Sequence, residues 1–331
     1  MLLRFLKGTG PGVIFLIIVT LVAIWFNTFF NSSLDIVSDY EKDPMPLYGL
    51  LKLVLGNNHF FGVAFSISIA FLMALLLVNF NTSIFFINER TFLPALIYIL
   101  FSGFFPRYQL LNPVLPASLL LMLAIIKIMD GYGKPGTAYN FFDAGFLIST
   151  GSLFYAPLIW FGLLVIIGIA LLRTGNLREI SISIIGLVTP YLITFGLYYV
   201  VGKDMQTLLS LTGNNLFERS AGYIFSRFTI IALIFTGFLM LVSIAYLFML
   251  LYTKKIKSRK TFSLLIWAFI ISVGVYIFLP SVSVEIVWLT GIPASYFLAH
   301  YFVYIKKKVL PEIFFSVLFI LILLIQILSL R

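Results

Sequence analysis

The sequence predicts an all-α membrane protein, a bundle of about eleven transmembrane helices with one short helix lying on the bilayer surface. Three observations carry this. Of 331 residues, 61% are hydrophobic and only 10% are charged, against about 25% charged in ordinary soluble domains. A soluble fold has no place to hide that much apolar surface, because one face of each helix meets water. The apolar stretches also follow one another through short turns with no linker, so residues 1–331 read as a single integral domain.

The first span is Val13–Phe30, preceded by Arg4 and Lys7. It is too long for a secretory h-region and lacks a small-x-small cleavage site, so it reads as an uncleaved helix. Residues 31–56 then form a polar stretch holding Asp35, Asp39, Glu41 and Asp43. The stretch ends in Met45–Leu55, too short to cross a bilayer. In it Leu47, Leu50, Leu51 and Val54 fall on one face at helical spacing, with Lys52 and Tyr48 at headgroup level, the pattern of an interfacial helix.

Further spans are expected at Phe60–Val78, Phe92–Phe105, Val114–Met129, Ala138–Phe154, Ala156–Leu172, Ile180–Val201, Phe228–Tyr252, Phe262–Leu279, Val284–Tyr304 and Val309–Leu330. Pro106 and Pro113 bracket the turn between the third and fourth, where helices must stop. Residues 202–227 form a second polar loop, and no repeat period is visible. With the N-terminus inside, the cytoplasmic flanks collect fifteen of the 22 basic residues, while the outer flanks carry seven basic and seven acidic ones. That bias is the positive-inside pattern, and it predicts a multi-pass protein of the cell (inner) membrane with a cytoplasmic N-terminus. The net charge of +10 is therefore rim charge spread over several flanks. Nucleic acid is excluded as a partner, because no concentrated base-reading surface accompanies it. The expected partners are membrane lipids.

Several chemistries are excluded as well. There is no cysteine, and the two histidines, His59 and His300, are too few for a histidine-clustered membrane oxygenase. Neither a phosphate loop nor a dinucleotide fingerprint is present, and no HExxH or Ser-His-Asp arrangement can be drawn. The candidates that remain lie on the outer side. A carboxyl group of the first loop, Asp35 or Asp39, held at the lipid surface suits a general base, and the acidic loop also suits a divalent cation bridging a phosphate. Glu41 and Asp43 share that loop, and Arg107, Tyr108, Gln109 and Asn112 in the next outer turn suit binding of phosphate or sugar hydroxyls. A capped helix end with Arg107 at the headgroups is the plainer account of that turn. Asp143 falls inside a span and requires a partner or water.

The order of a first helix, the loop SDYEKDPMPLYGLL with its acids and tyrosine, a surface helix and then many spans resembles the opening plan of GT-C type membrane glycosyltransferases. The segments TFLPALIYILFSGFFPRYQLLNP and FDAGFLISTGSLFYAPLIW look like the third to sixth helices of that superfamily, so the resemblance covers about the first 200 residues. It is architectural and rests on no specific motif. It implies sugar transfer from a polyprenyl-phosphate-linked donor at the outer face, with Asp35 or Asp39 as the base. The chain departs from the plan in that the outer turn PRYQLLNP lacks an acid. The alternative function is a non-catalytic membrane subunit of an envelope assembly, and a small-solute transporter is the third reading.

Overall fold

The computed structural model describes residues 8, 10–30, 43–55, 58–133, 138–173, 177–202, 204–220, 223, 225–305 and 309–328. Among them it is all-helical. In chain order the helices are α1 (Pro11–Phe30), α2 (Pro46–Leu55), α3 (His59–Ile84), α4 (Leu93–Ser102), α5 (Val114–Asp130), α6 (Ala138–Ser152) and α7 (Gly162–Leu172). There follow α8 (Leu177–Val200), α9 (Met205–Phe217), α10 (Arg227–Leu251), α11 (Ile256–Phe278), α12 (Val287–Tyr304) and α13 (Val309–Leu328). Short 3-10 turns cover Pro106–Tyr108, Ala156–Phe161 and Val284–Ile286.

Among the described residues thirteen α-helices thus stand where eleven spans and one surface helix were expected, and seven of the apolar segments are long enough to cross a membrane. The seven are α1, α3, α8, α10, α11, α12 with its leading turn, and α13. The helices at the expected third to sixth spans are short, with 10, 17, 15 and 11 residues in α4, α5, α6 and α7. At about 1.5 Å per residue, α4 is only about 15 Å long, half of a bilayer core. Its burial explains the length: every residue of α4 is buried in protein, so it has no lipid thickness to match.

The elements begin and end for local reasons. Asn58 caps α3 by accepting the Phe60 amide at 3.0 Å. The same helix stops where Phe85 turns left-handed (φ 57°) and the Asn81 side chain replaces the helix ladder, donating to the Glu89 carbonyl and accepting from the Ile87 amide. Ser226 caps α10 and Asp204 caps α9. The helix α9 lies in the second polar loop, where no element was expected.

The core is the pairing of α4 with α12. Trp288, Tyr296, Phe297 and most other residues of α12 are buried. Gly291 lets the Tyr98 ring lie against the α12 backbone, and the Tyr98 hydroxyl donates to the Trp288 carbonyl at 3.3 Å. From α1, Trp25 donates its Nε1 proton to Ser102 of α4 at 3.1 Å. The Tyr296 hydroxyl donates to the Leu77 carbonyl of α3 at 2.8 Å. Around this centre α8, α10, α11 and α13 keep long apolar faces exposed, as lipid-facing helices do.

Asp143 has the partner its position demands. Its carboxyl group meets Lys127 Nζ at 2.8 Å, across the α5–α6 contact. Both side chains keep about 40% of their surface (42% and 41%), so water still screens the pair. Asp143→Asn is therefore expected to cost less than about 1 kcal/mol. A drop in the detergent unfolding midpoint as large as that of a core substitution would show that the pair is desolvated.

Candidate functional site

One end of the bundle gathers the polar loops. There Asn215 of α9 donates to the Asp43 carbonyl at 2.9 Å, and the Leu47 amide at the start of α2 donates to the Leu153 carbonyl at 3.1 Å. The Ser281 hydroxyl reaches the Leu216 carbonyl at 2.8 Å, and the Ser220 amide reaches the Pro280 carbonyl at 3.1 Å. Two short helices, α2 and α9, flank this end. Tyr48 of α2 turns inward and donates to the Leu111 carbonyl, while Leu53 and Val54 stay about four-fifths exposed (80% and 83%). Leu209 and Phe217 of α9 are exposed likewise. Two apolar faces at one end of a bundle of apolar helices suit the edge of a bilayer.

Near the residues that contact these helices, Leu153 and Ser281, sits a buried carboxyl group. Glu285, in the 3-10 turn that leads into α12, has no exposed surface. Its Oε1 accepts from the Ser283 amide at 2.8 Å and from the Tyr155 hydroxyl at 3.1 Å. Burial first, and then the charge of Glu285, push the Tyr155 phenol well above its ordinary range, so it stays a donor. Tyr108 lies within electrostatic reach of Tyr155.

The turn Pro106–Tyr108 brings Arg107 and Tyr108 to the same place. The Arg107 side chain is exposed, and its charge opposes the burial that raises the Tyr223 phenol. The Tyr223 ring lies 5.8 Å from Tyr108 and 5.2 Å from both Phe105 and Phe225. The result is one guanidinium beside Tyr223, whose ring meets Tyr108, while Tyr108 in turn lies within electrostatic reach of the Tyr155 phenol that Glu285 binds. A guanidinium flanked by phenols offers charge and hydrogen bonds to a phosphate, and ring faces to a sugar or an isoprenoid.

The residues singled out from the sequence fall into three groups. Arg107 and Tyr108 join the cluster. Gln109 and Asn112 serve the fold. Gln109 is fully buried, accepting from Thr28 of α1 at 2.9 Å and donating to the Ser102 carbonyl at 3.0 Å. Asn112 caps α5, its Oδ1 accepting the Val114 and Leu115 amides. Asp43 is exposed at the start of the described segment, and Asp35, Asp39 and Glu41 lie outside the described residues. Among the described residues no group of three or more His, Cys, Asp or Glu is placed to hold a metal ion.

Tyr155, Tyr223 and Glu285 are the members that sequence reading missed. Glu285 carries a usable signal, since it is the only acid between Glu218 and Glu312 and opens the least apolar of the long spans. Tyr155 and Tyr223 carry none, being two of 17 tyrosines.

A family model, described as a family of unknown function, matches residues 46–330. The chain belongs to DUF6427. No curated protein and no solved structure matches it. The DUF6427 match holds Arg107, Tyr108, Tyr155, Tyr223 and Glu285, and begins just after the acidic loop, so Asp35, Asp39, Glu41 and Asp43 precede it.

Proposed function

We propose that this member of DUF6427 is a GT-C-like membrane transferase, taking a sugar from a polyprenyl-phosphate-linked donor at the end bounded by α2 and α9. The observation that carries the reading is the juxtaposition of exposed Arg107 with Tyr108 and Tyr223 over the buried Glu285–Tyr155 pair. Arg107 binds the donor phosphate, and the tyrosine rings flank the first sugar or isoprene unit. In the transfer an acceptor hydroxyl attacks the anomeric carbon. The bond from that carbon to the phosphate oxygen breaks, the polyprenyl phosphate leaves with the electron pair, and Asp35 or Asp39 takes the acceptor proton. Glu285 is a positioning residue that fixes Tyr155. The opposite end of the bundle gathers Arg90, Arg173, Arg178, Lys254, Lys255, Lys257, Arg259 and Lys260. That asymmetry supports placing α2 and α9 outside and the N-terminus in the cytoplasm.

The test uses the full chain in neutral detergent with a polyprenyl-phosphate sugar. Binding is read by native mass spectrometry, and transfer to water is read as free polyprenyl phosphate. Arg107→Ala is expected to weaken binding about tenfold, the loss of one charge-assisted contact. The double variant Asp35→Asn, Asp39→Asn is expected to keep binding and lose transfer. Retention no better than that of a neutral polyprenol would sink the proposal. The second reading, a non-catalytic membrane subunit, is favoured by the use of Gln109 and Asn112 in holding the fold. It predicts no transfer in any variant.

A further inference from the structure

The Glu285–Tyr155 pair is closed off from solvent, although Arg107 and Phe225 at the same end of the bundle are exposed. Tyr155 leads directly into the 3-10 turn Ala156–Phe161, and Glu285 follows the loop through Pro280 and Ser281. The helix α9 packs against that turn. Its C-terminal end is bonded to that loop, where the Ser281 hydroxyl donates to the Leu216 carbonyl at 2.8 Å and the Ser220 amide donates to the Pro280 carbonyl at 3.1 Å. So α9 touches the chain on both sides of the pair, the residues that follow Tyr155 and those that precede Glu285.

This covering helix is lightly held. Among its described side chains Leu208 alone is buried, and Leu209 and Phe217 face outward. A further tie is the hydrogen bond from Asn215 to the Asp43 carbonyl, itself exposed. Gly213 has nothing within 4 Å of an added Cβ, whereas Gly186 of α8 meets main-chain atoms. The chain enters α9 through Gly202, in left-handed backbone (φ 74°) with open space around it. A helix of 13 residues is marginal by itself, so α9 persists through these contacts. A segment with few buried apolar contacts and exposed hydrogen bonds opens at low free energy, while a sealed element such as α4 opens only with the whole fold.

We propose that α9 is a lid over the Glu285–Tyr155 pair, lifting about the Gly202 turn when its contacts through Asn215, Leu216 and Ser220 release, while the bundle stays folded. Closed, it keeps water from the pair; open, it admits a molecule to Tyr155 and Glu285. The lid stands on how the pair is covered and not on sugar transfer, so its test reads no transfer.

The chain has no cysteine, so Ser220→Cys with Ser281→Cys supplies a single pair, placed where the Ser220 amide meets the residue before Ser281. The full chain in neutral detergent is treated with dicyclohexylcarbodiimide, an apolar reagent for carboxyl groups in apolar surroundings. Label at Glu285 is read by peptide mass spectrometry. In the reduced form Glu285 is expected to be labelled, and mild oxidation is expected to slow that labelling about tenfold, because a fastened lid loses its open population. Reductant should restore it. Glu179, a buried carboxyl group at the opposite end, is the reference and should not respond to oxidation. In the otherwise unaltered chain, Ser281→Ala and Asn215→Ala each remove one tie and should speed the labelling about fivefold, the net worth of one hydrogen bond. Four results overturn the proposal: a cysteine pair that does not close, Glu285 unlabelled in the reduced form, equal labelling of the reduced and oxidised forms, or no gain in either alanine variant.

Discussion

Gly186→Ala is expected to destabilise the protein by about 3 kcal/mol, the upper part of the range for a forced overpacking, and Gly186→Leu to abolish the folded state. A Cβ at Gly186 would collide with the Phe142 carbonyl oxygen and stand 3.1 Å from that residue's backbone carbons. These are main-chain atoms of α6, so no side-chain rotation relieves the clash. The contact is reciprocal, since a Cβ at Gly145 of α6 would stand 2.6 Å from the Ser183 carbonyl oxygen of α8. The two backbones touch across this glycine pair, the close approach by which helices associate without a hydrophobic driving force. Gly237 of α10 is the control, because nothing lies within 4 Å of its added Cβ. There alanine is expected to be neutral, or stabilising by up to about 1 kcal/mol through helix propensity. Fluorescence-detected size exclusion and unfolding midpoints in detergent distinguish the two sites. Equal effects at Gly186 and Gly237 would mean that α6 and α8 do not pack as described.

Glu285→Ala is expected to be nearly as damaging, at about 3 kcal/mol, because it removes the buried acceptor of the Ser283 amide and the Tyr155 hydroxyl together and leaves a void. Glu285→Gln keeps an acceptor oxygen of the same shape and should cost about 1 kcal/mol. Tyr155→Phe deletes the donor and should cost about as much. A double-mutant cycle on Glu285→Gln and Tyr155→Phe should give a coupling near 1 kcal/mol, since the two lose one shared hydrogen bond. The glutamine variant also separates roles. A residue that positions Tyr155 through an acceptor oxygen tolerates glutamine, whereas one that takes a proton from substrate does not. Loss of transfer in Glu285→Gln with an unchanged unfolding midpoint would therefore move the proposed catalytic base from the first loop to Glu285.

The candidate site was partly legible. Arg107 and Tyr108 stand out because a polar turn between proline stops is visible in one dimension. Gln109 and Asn112 look equivalent to them in sequence, yet the chain path turns Gln109 into the interior against Thr28 and Asn112 back onto the start of α5. Tyr155 and Glu285 are 130 residues apart, and no local pattern relates them.

What the sequence determined by itself is composition-deep: an all-α chain of apolar helices, the short amphipathic α2, the need of Asp143 for a partner, and the gathering of basic residues on alternate turns. These follow from periodicity, length and charge, which local windows contain. The tertiary structure decided which helices are interior. Lipid tails and protein cores are equally apolar, so hydropathy alone does not say that α4 is sealed in protein while α8 faces outward. The partial signal runs backwards from soluble proteins: the span from Val284 to Tyr304 is the least apolar of the seven and the most buried, at 89%. Its Trp288, Ser295, Tyr296 and His300 are all buried in protein, where their polar groups avoid the cost of meeting hydrocarbon. Likewise Gly186 and Gly237 are both mid-helix glycines in sequence, and only the position of a neighbouring backbone makes the first indispensable and the second replaceable.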